Sequence, residues 1–482
     1  MTGHDDTVLD TEGQVEVVDM GSFQQVGFAV PTDATRLTVS LDFVREERLS
    51  LHLQVFDSTG QFRGRGFSYN GRGAIHIALE IRRVGGPPQG IPGPFGPGEW
   101  IAEVEVRTVD RTATYRLRAV AAYDDRDASA VAVAPVTYDP STAPRRGWVR
   151  GDLHAHTTES DGSLSLRAAV AVARERGLDF LAFAEHNTNS GWRHYPALSD
   201  ADFVLIRAEE MTTGHGHGVA LGLRAWLDWR VGRIGERTVR TVNDVLRDAR
   251  AQGALFYPAH PFIPFFDWRF TETDWSLVDA LEVWSNPSYV GSPGATMRAF
   301  GLWDALLRQG YRVLGLGGSD AHRLEHPWQS VGIPFTHVYT EEFSETGIVA
   351  AIRRGRVFAS LSAEMELTAA PADAPDCPVY MGETLAASGE VILTLDVRRF
   401  FGPLRARLVR DGLVRERVNR PERADGNHQI EFRDSVDQAT FYRVELHQDR
   451  GNESEDAGSL RAFGNPIFVQ PATAEKARTS HF

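Results

Sequence analysis

Between residues 148 and 362, strand-like apolar runs repeatedly end in histidine or a carboxylate. The runs 179–184, 203–208, 254–257 and 312–316 lead into Glu185-His186-Asn187, Glu209-Glu210, Pro258-Ala259-His260-Pro261 and Gly317-Gly318-Ser319-Asp320-Ala321-His322. A fifth run, Trp148-Val149, leads into GDLHAHTTESDG at 151–162. Helical periodicity separates the strands at 165–176, 241–252 and 299–309, each closed by glycine (Gly177, Gly253, Gly310), and 280–284 is a further strand. Alternating β and α segments predict a mostly parallel sheet or barrel. Such folds gather their functional groups at the carboxyl ends of the strands.

In GDLHAHTTESDG, His154 and His156 stand two residues apart, so on an extended strand both imidazoles face one point. The chain then turns polar and presents Asp161. Two imidazoles and a carboxylate suit Zn, Mn or Fe. One strand-end histidine is usually a hydrogen-bonded structural residue; five ligand-bearing strand ends point to a polynuclear metal site. Glu209 and Glu210 are neighbours and face opposite ways, so only one can join the site. His215 and His217 share a face, and either can bind metal. Glu185 either orients a ligand or forms a salt bridge.

The flanks read as β. Runs at 15–18, 25–30, 37–41, 51–56, 74–81, 100–106 and 113–122, separated by turn residues, predict an N-terminal β-sandwich over 1–147. A Pro-rich linker at 139–144 ends it. Runs at 391–397, 405–410, 428–432 and 440–446 predict a second β-sandwich over 363–482, with a solvated acidic loop at 449–456 and a frayed tail after Pro471. Neither flank shows a cluster of catalytic residue types.

Composition removes several alternatives. The net charge of −14 lacks the basic footprint of a nucleic-acid site. Lys476 is the sole lysine, which removes Schiff-base and P-loop lysine chemistry from the central region. Cys377 is the sole cysteine, so there is no intrachain disulfide. The start MTGHDDTVLD has no signal-peptide character and no stretch is long enough for a membrane span, so the expectation is a cytoplasmic protein with a small-molecule substrate and neither nucleic acid nor membrane as partner.

The series DLHAHTTESDG, FAEHN, EMTT followed by GHGVALG, PAHP and GGSDAH, in this order, resembles the motifs of the PHP (polymerase and histidinol phosphatase) metallohydrolases. EMTT…GHGVALG, ALEVWSN and the closing run Asn465-Pro466-Ile467-Phe468-Val469 look most like its carbaryl-hydrolase, or CehA/McbA, branch. The resemblance covers residues 148–362 and implies a distorted (β/α)7 barrel with two or three divalent ions (Mn, Zn or Fe) at its mouth. With the flanks, the expected architecture is multidomain α/β plus β. By resemblance, the ligands are His154, His156, Asp161, His186, Glu210, His217, His260, Asp320 and His322. Glu210 is chosen over Glu209 because it directly precedes Met211-Thr212-Thr213. The family supplies His or Asp near position 161, and here it is Asp.

The implied activity is hydrolysis by a hydroxide bridging the metals, acting on phosphomonoesters or phosphodiesters. Carbamate, aryl ester or amide hydrolysis is the alternative. A non-catalytic metal- or carbohydrate-binding protein is a third reading, which the full ligand set opposes. Asp320, His322 and His217 are the catalytic candidates. Arg193, Arg323 and His215 are candidate substrate contacts. The run Pro261-Phe262-Ile263-Pro264-Phe265-Phe266-Asp267-Trp268 is too rich in proline and aromatics for a helix or strand and predicts a loop at the mouth. Phe262, Phe265, Phe266 and Trp268, with Trp192, Trp284 and Trp328, either pack beneath that loop or form an apolar wall for substrate.

Overall fold

The computed structural model describes residues 5–45, 48–67, 72–123, 146–236, 238–287, 291–323, 330–449, 451 and 459–471. The expected linker at 139–144, Trp328, most of the acidic loop and the tail after Pro471 lie outside the described residues.

The N-terminal strands are β1 (Asp5–Val15), β2 (Ser22–Ala29), β3 (Arg36–Arg45), β4 (Ser50–Phe56), β5 (Phe62–Gly66), β6 (Gly73–Arg82), β7 (Glu99–Thr108) and β8 (Ala113–Ala122). They form two antiparallel sheets, β1-β8-β3-β6 and β2-β7-β4-β5. Alternation decides which residues go inward: Leu37, Val39, Leu41 and Phe43 of β3 meet Leu51, Leu53 and Val55 of β4 in one core. The strand expected at 15–18 is displaced. β1 ends at Val15, and Val17–Asp19 forms a 3-10 turn in which Glu16 and Asp19 cap each other. β1 is polar because it is an edge strand, held by its ladder to β8.

The central strands are β9 (Gly147–Ala155), β10 (Phe180–His186), β11 (Val204–Thr213), β12 (Gly216–Leu221), β13 (Gly232–Ile234), β14 (Thr238–Arg240), β15 (Leu255–Pro258), β16 (Ala280–Ser285), β17 (Leu314–Gly318), β18 (Phe335–Thr340) and β19 (Val357–Ser360). The helices are α1 (Leu166–Glu175), α2 (Val242–Ala251), α3 (Ser292–Arg308) and α4 (Glu345–Arg354). Ser165, Thr241 and Ser344 cap α1, α2 and α4 through their hydroxyls.

The (β/α)7 barrel is not what the ladders form. β9, β10 and β11 run parallel, and β16 pairs with β17 in a separate parallel pair. β12 and β15 then add antiparallel on one side of β11, and β18 and β19 antiparallel on the other side of β9. Chain length is the reason. Only two residues join β11 to β12, enough for a hairpin but far short of a parallel crossover.

The C-terminal strands are β20 (Glu364–Pro371), β21 (Val379–Tyr380), β22 (Thr384–Ala386), β23 (Gly389–Arg398), β24 (Leu404–Arg410), β25 (Leu413–Arg420), β26 (His428–Val436), β27 (Thr440–Gln448), β28 (Leu460–Gly464) and β29 (Ile467–Gln470). A four-stranded sheet, β21-β20-β23-β26, shares a core with β24, β27, β28 and β29. β28 pairs with β19, so one sheet runs from the central strands into the C-terminal ones. Among the described residues, no helix is long and apolar enough to cross a membrane.

Candidate metal centre

The ends of β9, β10, β11, β15 and β17 converge on one point. Three groups of potential ligands overlap there: His156, Asp161, His186 and His322; His154, His156 and Asp320; and His154, Glu210 and His260. Donor atoms within each group lie within 4.8 Å of one another. His156 Nε2 is 3.2 Å from Asp320 Oδ1, and His260 Nε2 is 3.3 Å from Glu210 Oε1. His186 Nε2 and His322 Nε2 stand 3.3 and 3.2 Å from Asp161 Oδ1. Eight of the nine residues carried over by resemblance therefore fall into these groups. The ninth, His217, approaches Glu210 Oε1 through Nδ1 at 3.2 Å and has Arg107 Nη2 3.5 Å from its Nε2.

The backbone is bent to deliver these side chains. His260 and Asp320 are left-handed (φ 30° and 50°), as is Asn187, directly after His186 (φ 58°). Non-glycine residues rarely adopt that conformation, and it clusters where a fold holds residues for function. Asn187 is fixed by Thr212, accepting from its amide at 2.7 Å and donating to its carbonyl at 2.8 Å. Asp161 arrives on a turn pinned by Glu185, whose Oε1 accepts from Thr157 N at 3.0 Å and Thr157 Oγ1 at 2.5 Å. Glu185 thus orients the ligand-bearing loop. Glu209 faces away from the site and accepts from Leu227 N at 3.2 Å.

The centre has a buried floor and an open rim. The side chains of His154, His156 and Glu210 are fully buried, whereas those of Asp161, Asp320 and His322 are 28%, 21% and 29% exposed. Burial opposes ionisation of Asp161 and Asp320, but the neighbouring histidines outweigh it and hold both well below the usual carboxylate range. Burial likewise pulls His322 down, yet Asp320 and Asp161 override it and push it up to about 9. For His156 the balance falls the other way: burial, with His322 and His186 alongside, outweighs Asp320 and Glu210 and takes it down to about 3.

These residues fit divalent cations. Among the described residues, His154 Nε2, both ring nitrogens of His156, and His260 Nδ1 are buried without a hydrogen-bond partner. Leaving such an atom unsatisfied costs about 1–3 kcal/mol each, a penalty removed where the nitrogen ligates a metal. Imidazoles mixed with carboxylates are the donor set of Zn, Mn and Fe sites.

Several positioning residues were not identified from sequence. Glu282 on β16 accepts from His154 Nδ1 at 2.9 Å and from His260 N at 2.7 Å, linking two ligands. Asp152 is buried and accepts from the amides of His154, Ser319 and Gly332. Each stands as an isolated carboxylate in an apolar run, a signal the sequence does carry. Arg107 on β7 and Arg65 on β5 reach the rim from the N-terminal sheets, Arg65 Nη1 lying 3.5 Å from the His186 carbonyl. No local pattern marks either one.

The expected substrate contacts separate. Phe266 is 41% exposed, with its ring 5.4 Å from His217 and 6.1 Å from His260; Phe265 is 86% exposed in a left-handed turn (φ 74°). Trp268 instead packs on Phe256 and Phe270 and donates to Thr273 Oγ1. Trp284 and Trp192 belong to cores, and Phe262 lies under the Arg298 guanidinium. Arg193 is not placed to meet an anion: its guanidinium donates to the carbonyls of Gly90 (2.7 Å) and Pro87 (3.3 Å), tying the central region to the N-terminal sheets. His215 is exposed beside Phe270 on the β11–β12 turn, and Arg323 is exposed just past His322.

No family model matches the chain, and no curated protein matches it. Among solved structures, the chain is similar to a two-domain Bacteroides vulgatus protein containing a predicted PHP-like metal-dependent phosphoesterase (16% identity, 69% of this chain and 100% of that one, TM-score 0.35). It is also similar to a Bifidobacterium adolescentis protein assigned as a metal-dependent phosphoesterase (18% identity, 38% and 90%, TM-score 0.29). A third is a Chromobacterium violaceum amidohydrolase with bound sulfate (17% identity, 38% and 89%, TM-score 0.27). Likenesses this loose carry no argument, and the case rests on the residues of the site.

Proposed function

We propose that the chain is a metal-dependent hydrolase of phosphoesters, mono- or diesters. The observation that supports this reading is the set of three overlapping ligand groups, which share His154 and His156 and leave buried imidazole nitrogens without hydrogen bonds. His154, His156, Asp161, His186, Glu210, His260, Asp320 and His322 would hold two or three divalent ions, Mn, Zn or Fe. Bound there, such ions would lower the pKa of water toward neutrality and polarise a phosphoryl or carbonyl oxygen. The three-part division at 1–147, 148–362 and 363–482 belongs to the same proposal, as does membership of the PHP superfamily.

The remaining work falls to the chain itself. Glu282 accepts a hydrogen bond from His154 Nδ1–H, which keeps the proton on Nδ1 and leaves Nε2 facing the centre as an acceptor. Arg107 can only donate, so His217 accepts at Nε2 and donates from Nδ1 to Glu210, which fixes its tautomer. Asp320 and His322, on the open rim, are the candidates for handling a proton of the leaving oxygen, beside their part in holding metal.

A second reading, cleavage of carbamates, aryl esters or amides, is favoured by Phe266, whose ring stands over two site histidines. One panel separates the two: metal-loaded protein with p-nitrophenyl phosphate, bis-p-nitrophenyl phosphate and 1-naphthyl methylcarbamate. Turnover of a phosphate ester supports the first, turnover of the carbamate alone the second. No turnover, with metal bound, overturns both.

A further inference from the structure

A second cavity lies away from the metal centre. It is a cleft of 540 Å³ between the central strands β9, β18 and β19 and the C-terminal strands β20 and β23. On β9 it is lined by residues 148–150, whereas the ligands follow at 154 and 156. Four residues of strand, from Arg150 to His154, put at least about 13 Å between the two. A volume of this order holds a small organic molecule.

The walls combine aromatic rings with charged side chains. Trp148 stands edge-on to Tyr339 (5.6 Å) and to Phe358 (5.0 Å), and His337 lies flat on Phe358 (4.3 Å, 9°). Most charged groups lining the cleft are already engaged. Arg356 bonds Glu366 at 2.8 Å and is sandwiched between Tyr339 and Tyr380; Arg399 bonds Glu364 at 3.2 Å. Arg150 donates to the Gly177 carbonyl and its amide to Asp179, and Asp396 accepts from Gln429. Two groups remain. Arg398, at the mouth, is exposed and makes no side-chain hydrogen bond or ion pair among the described residues. His337 is 5% exposed, and its Nε2 is buried with no partner among the described residues. Burial, then Arg150 nearby, takes that imidazole down to about 3, so it is neutral and able to donate or accept.

An aromatic side wall among paired charges, one spare cation at the mouth and one buried hydrogen-bonding nitrogen suit a ligand with a ring and an anionic end. We propose that this cleft is a second binding site, for a small aromatic carboxylate, with its ring against the partly exposed Trp148 and its carboxylate at Arg398.

The test is calorimetric titration of the full-length protein with 1-naphthoate, and with 1-naphthol as the uncharged counterpart. Saturable 1-naphthoate binding is expected, unchanged after EDTA treatment because the cleft needs no metal. Arg398→Ala, an exposed change that spares the fold, should weaken 1-naphthoate about tenfold and leave 1-naphthol unaffected, the loss of one charge-assisted contact. His337→Asn should weaken both. Three results overturn the proposal: no 1-naphthoate binding, binding lost with EDTA, or equal affinity for both probes that Arg398→Ala does not change.

Discussion

Replacing Glu282 by Gln tests whether the centre is organised by a residue that never touches a metal. The substitution preserves volume but turns one carboxylate oxygen into a donor. Glu282 accepts two hydrogen bonds, from His154 Nδ1 at 2.9 Å and from His260 N at 2.7 Å, and it is 1% exposed. If the new NH2 faces His154, the ring proton must move to Nε2, which faces Glu210 and Asp320 and can then no longer ligate. If it faces His260, two buried N–H groups oppose each other. Either arrangement costs about 1–3 kcal/mol. Expressed on metal binding, that is about 10- to 100-fold in affinity, the range for orienting partners of ligating histidines. The assay is competition of Zn or Mn against a chromogenic chelator, with circular dichroism to confirm the fold. Wild-type metal affinity and thermal midpoint in Glu282→Gln would show that Glu282 does not orient the ligands, because either amide orientation leaves a buried unfavourable contact.

Other outcomes follow from the same geometry. Elemental analysis of purified, reconstituted protein should give about two or more divalent ions per chain; less than one removes the metal-centre reading. Metal loading at pH 7 should release protons, since His322 holds its proton up to about 9 in the empty site, and affinity should rise with pH until about 9 and then level off. Calorimetry in buffers of differing ionisation enthalpy checks this, and a buffer-independent heat contradicts it. Phe266→Ala should raise KM for aryl esters far more than for methyl analogues, whereas Trp268→Ala should chiefly lower thermal stability, by about 2–4 kcal/mol. The reverse pattern would exchange their roles. Gly318→Ala should reduce metal binding as Glu282→Gln does, because its Cβ would collide with Glu282 Oε1 and stand 2.7 Å from His154 Cβ; unaltered metal binding would show that this corner yields.

The ligands were legible because each sits at the end of an apolar run, where period and punctuation can be read locally. α1 and α2 were legible for the same reason, with Ser165 and Thr241 as caps and Gly177 and Gly253 as stops. α3 starts seven residues before the run that marked it, at Ser292 with proline in its first turn, because its opening residues lack an apolar stripe. Strand direction was not legible. The apolar run in β12 reads the same either way, and only the two-residue connection forces the antiparallel pairing. The arginines were invisible for a different reason. Arg107 and His217 are 110 positions apart and meet across the packing of the N-terminal sheets on the central strands, where β2, beside β7, pairs with β13. Arg193 shows the converse: its position beside a ligand motif suggested a substrate contact, while tertiary packing committed it to carbonyls across the interface.

The pairing of β28 with β19 has a consequence for dissection of the molecule. Asn465 reinforces the seam, bonding Gly315 N through its amide oxygen and the carbonyls of Gly315 and Val357 through its amide nitrogen. A fragment cut at residue 362 would lose that clamp and bare the hydrogen-bonding edge of Val357–Ser360, a segment buried along its whole length. An open, apolar edge recruits other strands, including those of identical fragments. Such a fragment would precipitate or multimerise, and its inactivity would then reflect loss of solubility, not a catalytic contribution from the missing residues.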